Sequence, residues 1–368
     1  EMETAEEKLG FLANHPMSGM AFDEVQPDKA HNWVNLTSND FDTLIPLASK
    51  ATKAATTAGK ERAIFKQFGF GVSTNRDEWV YDDSAESLGK KMQFLVTRFN
   101  AVKASDGDTT IKWSRNLKRR HEQGRRESFE ASRITTAAYR PFYSTYFYDS
   151  QIFVDELGIR ESLPHAPRLG SIVITDSTAQ KPWLACAVGG VPDLHFVGAA
   201  AGGVCIPFAV ASGEAVVDNI TDWALKQFAA HYADEIGKGK SARKITKEGI
   251  FHYCYAVLHD PLYREKYAQN LKREFPRIPF YKDFWQWAAW GEALMGLHIG
   301  YEGVAPFALT RTDVPDAKAR AAGMQPKAML RADPAAGSIA LDSETTLSGI
   351  PAEAWTYKLG NRSAIDWV

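Results

Sequence analysis

The chain has 368 residues, 45% of them hydrophobic and 24% charged, with a formal net charge of -2. These proportions are those of a folded globular protein and exclude a disordered or fibrous chain, while the near-neutral balance argues against a protein that coats nucleic acid without selection. No apolar run approaches the roughly 20 residues that cross a bilayer; the longest candidate, Leu184 to Val210, is broken by glycines, Pro192 and Asp193, so no membrane partner is expected.

In chain order, residues 4–14 read as a short amphipathic helix with Ala5, Leu9 and Leu12 inward, followed by a strand-like Met20 to Val25. A second short helix is expected around Phe41, Leu44 and Ile45, then extended chain from Ala63 to Val72 and at Trp79, Val80 and Tyr81. Ser84 caps a helix whose inner face is Leu88, Met92, Leu95 and Phe99. Ser105 to Thr110 is a turn, and a basic helix runs from Ser114 to Gln123, ending at Gly124.

The run from Ile134 to Ile152 is dense in Thr, Tyr and Phe and predicts two strands interrupted at Pro141. Further strands are expected at Gly170 to Asp176, Trp183 to Val188, His195 to Ala199 and Val204 to Val210. A helix from Asn219 to Asp234 closes this part, and Gly237 to Lys244 reads as a linker.

Three helices fill Thr246 to Glu302. Asp260-Pro261 opens the middle one, with Tyr263, Tyr267, Leu271 and Phe275 on one face, and the last presents Phe284, Ala288, Gly291, Met295 and His298, with Trp285, Trp287 and Trp290 alongside. After Glu302 the chain reads as an irregular connection up to Ala340, with short strands near Ile339 to Leu341 and Trp355 to Leu359. The closing Arg362 to Val368 is patterned to its last residue, which points to a piece of something longer.

Catalytic motifs are hard to find. There is no phosphate-binding GxxxxGK[ST] loop, no GxSxG elbow and no HExxH. The three cysteines, Cys186, Cys205 and Cys254, lack metal-ligand spacing and fit a reducing cytoplasm. Phe68-Gly69-Phe70-Gly71 lacks the partners of a methyl-donor site, and Asp260, Glu265 and Lys266 are explained by a helix cap and its surface charge better than by nuclease chemistry. His252 and His298 read as interior histidines, because no second group with a matching role accompanies them. No catalytic or metal residue is assigned.

One local asymmetry stands out. Lys112, Arg115, Lys118, Arg119, Arg120, Arg125, Arg126 and Arg133 face only Glu122, Glu127 and Glu130, a surplus of five positive charges. A solvated helix face explains such a run, and so does a phosphate-binding surface, since arginine forks suit phosphate and guanine edges and Tyr139, Arg140, Tyr143 and Tyr146 follow closely.

Several short motifs then occur in a telling order: Gly71 to Tyr81 (GVSTNRDEWVY), Trp113-Ser114-Arg115, Tyr139-Arg140-Pro141-Phe142, Pro276-Arg277-Ile278-Pro279, Phe284-Trp285, and Leu297-His298-Ile299-Gly300-Tyr301-Glu302. This series resembles the C-terminal specificity domain of Type ISP restriction-modification enzymes, over nearly the whole chain. The resemblance implies a parent that joins a nuclease, a helicase-like motor and an adenine N6 methyltransferase to a target recognition domain. The parent would use S-adenosylmethionine, ATP and Mg, with no cofactor in this chain. Implied partners are double-stranded DNA and the methyltransferase domain of the same parent chain.

The expected fold is mixed α/β (α+β), a sheet-rich target recognition lobe braced by a helical block. Residues 1–105 form an N-terminal α/β segment beside the methyltransferase, 106–245 the strand-rich recognition lobe, 246–303 the brace, and 304–368 an irregular connection with short strands. Lys112, Arg115, Lys118, Arg119, Arg120, Arg125 and Arg126 are expected on phosphates, with Tyr139 and Arg140 near the groove and Arg160, His165, Arg168 and Gln180 on bases. Asn75 and Arg76 either face the neighbouring domain or the DNA backbone, or belong to a turn in which Arg76 pairs with Asp77. A free-standing DNA-modifying or nuclease enzyme with degenerate motifs is the competing reading, and a scaffold that binds only protein is a third.

Overall fold

The computed structural model describes residues 4–19, 24–28, 31–34, 37–55, 57, 59–103, 105, 107–164, 168–179, 181–237 and 243–367. The chain divides into two compact units, residues 1–40 and 41–368. In the first, the helix Ala5–Asn14 is closed by a capping box between Thr4 and Glu7. It buries nothing: Leu9 and Leu12, expected inward, are 67% and 59% exposed. The strand expected at Met20 to Val25 lies largely outside the described residues, as does most of the linker expected at Gly237 to Lys244.

The second unit is mixed α/β. Its central sheet runs Gly69–Phe70, Gly203–Pro207, Ser171–Thr175 and Ala185–Val188, antiparallel throughout. Alternation sends Ile172 and Ile174 to one face, against the helices, and Val173 to the other, with Cys186 and Cys205. Both faces are covered, which is why Ser171–Thr175 is buried end to end.

A second sheet orders Tyr81–Asp82, Tyr143–Tyr148, Ile134–Arg140 and Val191–Pro192, the last pair parallel. The helix Ala85–Ala101 packs on it through the expected Leu88, Met92, Leu95 and Phe99. Its Ser84 cap is present, as is the Pro141 break between the two strands.

The helical block lies under the central sheet. Lys247–His259 is apolar on all sides and buries every residue from Ile250 to Leu258, as a helix with no solvent face must. It crosses Phe284–Ile299, which buries the predicted Phe284, Ala288, Gly291, Met295 and His298. At the crossing, a Cβ on Gly291 would lie 1.8 Å from the His252 carbonyl oxygen, so only glycine allows this approach. The middle helix departs from expectation. It breaks at Tyr267 into Pro261–Lys266 and Ala268–Leu271, where the Tyr267 ring leaves the helix line to pack on Phe41 and Tyr263.

Other segments differ as well: Trp355, expected in a strand, lies in the helix Ala352–Thr356, and Ile45, expected in a helix, pairs with Ile278 in a short ladder. Only Gly69–Phe70 of Ala63 to Val72 joins a ladder; the remainder is held by single bridges at Phe65 and Val72. Asp77–Val80 is one helical turn, set by the Thr74 hydroxyl donating to Asp77. His195 to Ala199 is a set of turns begun by Asp193, whose carboxylate accepts from the His195 amide at 2.9 Å. The supposed irregular connection is a four-stranded antiparallel sheet ordered Thr310–Asp313, Thr345–Ser348, Ser338–Asp342 and Ala328–Asp333. Two of its strands are almost wholly exposed and two half-buried, and all are rich in Thr, Ser, Ala and Asp, so hydrophobic alternation did not mark them.

Candidate nucleic-acid interface

The motif residues meet in space as one framework. Asp155 is its centre: its carboxylate accepts from Arg76 at 3.0 Å, Asn75 at 2.8 Å and the Ser114 hydroxyl at 2.7 Å. Ser114 also caps the basic helix Arg115–Glu122 by accepting from the Leu117 amide. Arg76 has no exposed surface and donates further to the Phe153 carbonyl. Burial lowers its pKa, and the Asp155 charge offsets only part of that. Read from the sequence as facing a partner or pairing with Asp77, Arg76 is instead an interior strut whose ion partner is Asp155.

Arg120 acts similarly. Its guanidinium donates to the carbonyls of Ile152, Val154 and Asp155 at 2.8, 2.8 and 2.9 Å, tying the basic helix to that loop. Tyr139 donates to Asp77 at 3.0 Å, and Arg140 stacks on the Tyr139 ring while pairing with Asp193 at 3.0 Å. Burial pushes the Asp193 carboxyl above its ordinary pKa. Phe142, from the same motif, packs against His298 and Tyr301 of the Leu297 to Glu302 motif. His298 bonds to the hydroxyls of Tyr255 and Tyr357, and burial, with help from Arg264, lowers its pKa to about 4, so it stays a neutral interior imidazole.

The other predicted residues lie at the surface or near it. Arg160 pairs with Asp149, its Nε donating at 2.8 Å. Arg168 is exposed, sits over the Phe208 ring and lies 3.4 Å from Asp218, and Lys112 lies 3.3 Å from Glu78. Lys118 is half-buried on the basic helix, and His165 and Gln180 lie outside the described residues. Arg115, Arg119, Arg125 and Arg126 are exposed and have no ion-pair partner among the described residues. Arg115 occupies the first position of its helix, where the backbone dipole disfavours a cation, and Arg119 follows one turn later with like charge. Local stability does not account for Arg115, whereas Arg119 stands in the last turn, where the dipole favours a cation.

Arg125 and Arg126 stand on one lip of a cleft of about 1710 Å³. Ile134, Thr135, Thr136, Gly189 and Gly190 line it as well. Glu127 and Glu130 also line it and share Arg133, at 3.3 and 2.9 Å, while Asp149 pairs with Arg160; with Glu161 and Glu214, five carboxylates face four arginines, and Arg125 and Arg126 are the two cations without an ion partner among the described residues. The cleft is also lined by the hairpin of Ala209–Ser212 and Ala215–Asp218, which the sequence reading missed. Its signal was present: Ser212-Gly213 separates two short runs of Ala and Val, a turn dipeptide between strand formers. Among the described residues, no group of three or more His, Cys, Asp or Glu side chains is placed to hold a metal ion.

The sequence profile of the family described as Type ISP C-terminal specificity domain matches residues 63–368. The cryo-EM structure of a DrdV–DNA complex aligns with 99% of this chain at 40% identity and a TM-score of 0.83. A nuclease-deletion mutant of the Type ISP restriction-modification enzyme LlaGI, in complex with a DNA substrate mimic, aligns with 99% at 22% identity and a TM-score of 0.72. The ATP-dependent Type ISP enzyme LlaBIII bound to DNA aligns with 93% at 22% identity and a TM-score of 0.70. At that identity the last two show a shared fold. The chain spans 37%, 28% and 22% of those three chains respectively. No curated protein matches it.

Proposed function

The chain belongs to the Type ISP C-terminal specificity domain family, and from that premise we propose that it is the target recognition module of a restriction-modification enzyme. It reads an asymmetric site in double-stranded DNA and presents the adenine of that site to an adenine N6 methyltransferase domain of the same parent chain. The observation that carries this reading is the cleft with unpaired Arg125 and Arg126 on its lip. Phosphate is the ligand that suits such guanidinium forks, and the DrdV, LlaGI and LlaBIII structures are DNA complexes.

In this role the module contributes binding and no bond-making step. Methyl transfer, ATP-driven movement and cleavage belong to the rest of the parent, with S-adenosylmethionine, ATP and Mg as its cofactors, working in the cytoplasm. Buried Arg76 and Asp155, with Asn75 bonded to Asp155 from the surface, hold the basic helix at a fixed angle, so that the unpaired arginines meet phosphates already in place. Titration of the chain against labelled duplex DNA at several salt concentrations tests the proposal. Binding that weakens steeply with salt supports it, and salt-independent or absent binding refutes it.

A further inference from the structure

The hairpin Ala209–Ser212 and Ala215–Asp218 forms a two-stranded sheet that pairs with no other strand among the described residues. Its register is Val210 with Val217, Ala211 with Val216 and Ser212 with Ala215, which leaves a two-residue loop. Gly213, at φ +61, takes the first loop position, where a right-twisted ribbon favours glycine. Every residue from Ala211 to Asp218 is exposed, including Val216 at 56% and Val217 at 43%. A surface ribbon ordinarily carries polar side chains, whereas alongside Ser212, Glu214 and Asp218 this one exposes Ala211, Ala215, Val216 and Val217.

We propose that this hairpin is the base-reading element of the cleft, entering the major groove of the DNA whose phosphates Arg125 and Arg126 hold. The inference rests on the DNA-recognition reading above. Dimensions favour it. From Val210 to the loop the ribbon extends about 10 Å, at roughly 3.4 Å per residue, against a major groove about 12 Å wide and 8.5 Å deep that admits a two-stranded ribbon.

The chemistry is also that of base edges. Ala211 and Val216 are opposite one another on the cleft side, a small apolar pair suited to the methyl group of thymine. Glu214, at the tip, has no partner among the described residues, and its carboxylate only accepts hydrogen bonds. It matches the exocyclic amino group of cytosine or adenine. A carboxylate facing phosphates would be repelled, so Glu214, which lines the same cleft as Arg125 and Arg126, is assigned to a base edge and not to the backbone.

The test is selection of the full chain on a duplex pool with a randomised core, followed by titration on the enriched sequence and on copies carrying uracil for each thymine. Parent protein is expected to enrich a defined motif. Glu214→Ala should lose preference for cytosine or adenine at one position by about 5- to 150-fold, the range for one good base contact. Parent protein should bind a uracil copy about fourfold more weakly at one position, the value of one buried methyl, and Val216→Ala should erase that difference. Both variants should keep the parent melting temperature, because the tip buries nothing. Folded variants that enrich the parent motif with undiminished discrimination and the same uracil penalty overturn the inference alone. Parent protein that binds without salt dependence, or enriches no motif, overturns the recognition reading and this inference with it.

Discussion

Replacing Arg115, Arg119, Arg125 and Arg126 together by alanine separates phosphate binding from folding, because these four arginines are exposed and hold no ion-pair partner among the described residues. Each phosphate contact to duplex DNA contributes about 0.9 to the slope of log affinity against log salt. If all four touch phosphates, the slope becomes shallower by roughly 3.6, and over a fourfold rise in salt the parent loses about 150-fold more affinity than the variant. Fluorescence anisotropy on one duplex at four or more salt concentrations measures the slope directly. Stability should be unchanged or slightly improved, since alanine is the better helix former and Arg115 opposes the helix dipole. Arg120 stays in place, because its guanidinium holds three carbonyls of the 152–155 loop and its loss would confuse unfolding with lost binding. A folded quadruple variant whose slope equals that of the parent refutes the phosphate assignment.

Three further outcomes follow from the fold. Arg76→Leu alone should destabilise the chain by about 3–5 kcal/mol in denaturant melts, since it leaves the buried Asp155 carboxylate uncompensated; a loss below 1 kcal/mol would show that the strut is dispensable. Gly291→Ala should cost at least about 1–3 kcal/mol, because its Cβ would meet the His252 carbonyl and force the two long helices apart, and an unshifted melting temperature would contradict the close crossing. Hydrogen bonds from Lys91 and the Ser84 amide hold the Asp82 carboxyl at about 2, below its ordinary 3.8. Asp82 therefore stabilises the fold above about pH 4 and loses that contribution as pH falls toward 2, so Asp82→Asn should flatten this part of the acid stability profile; an unaltered profile would refute the assignment.

Local chemistry was legible where a side chain acts on its own neighbourhood. Ser84, Ser114 and the Asp260-Pro261 pair cap helices by bonding to amides two or three residues on, and their signals read correctly. The central sheet and the buried stripe of Phe284–Ile299 were legible because apolar spacing reports burial. Of the sheet formed by residues 310–348 only the strand near Ile339 to Leu341 was legible, since the other strands are exposed or half-buried and leave no period to read. At the site, the excess of arginine was plain but its division of labour was not. Arg119 and Arg120 are adjacent in sequence and chemically identical, and only the loop at 152–155 makes one a strut and leaves the other free. Arg76 and Asp155 meet across 79 positions, which no local pattern encodes.

That division explains how such a module can keep one fold while its target changes. The residues that fix the frame form two sets, Arg76, Arg120 and Asp155 around the 152–155 loop, and Tyr139 with Asp77 beside Arg140 and Tyr81 on Asp193, so altering a shared member such as Asp155 or Asp193 disturbs several hydrogen bonds at once. The unpaired arginines and the hairpin contribute no buried partner to that network, and an exchange such as Glu214 for another polar residue leaves the core intact. Under the phosphate assignment proposed above, the four arginines would grip any sequence alike, since the phosphate backbone is uniform, and leave discrimination to a tip whose side chains can vary at little thermodynamic cost. Gly213 is the exception within the hairpin. Its φ of +61 sets the loop and hence the register, so a side chain there strains the ribbon and shifts what every neighbouring residue can reach.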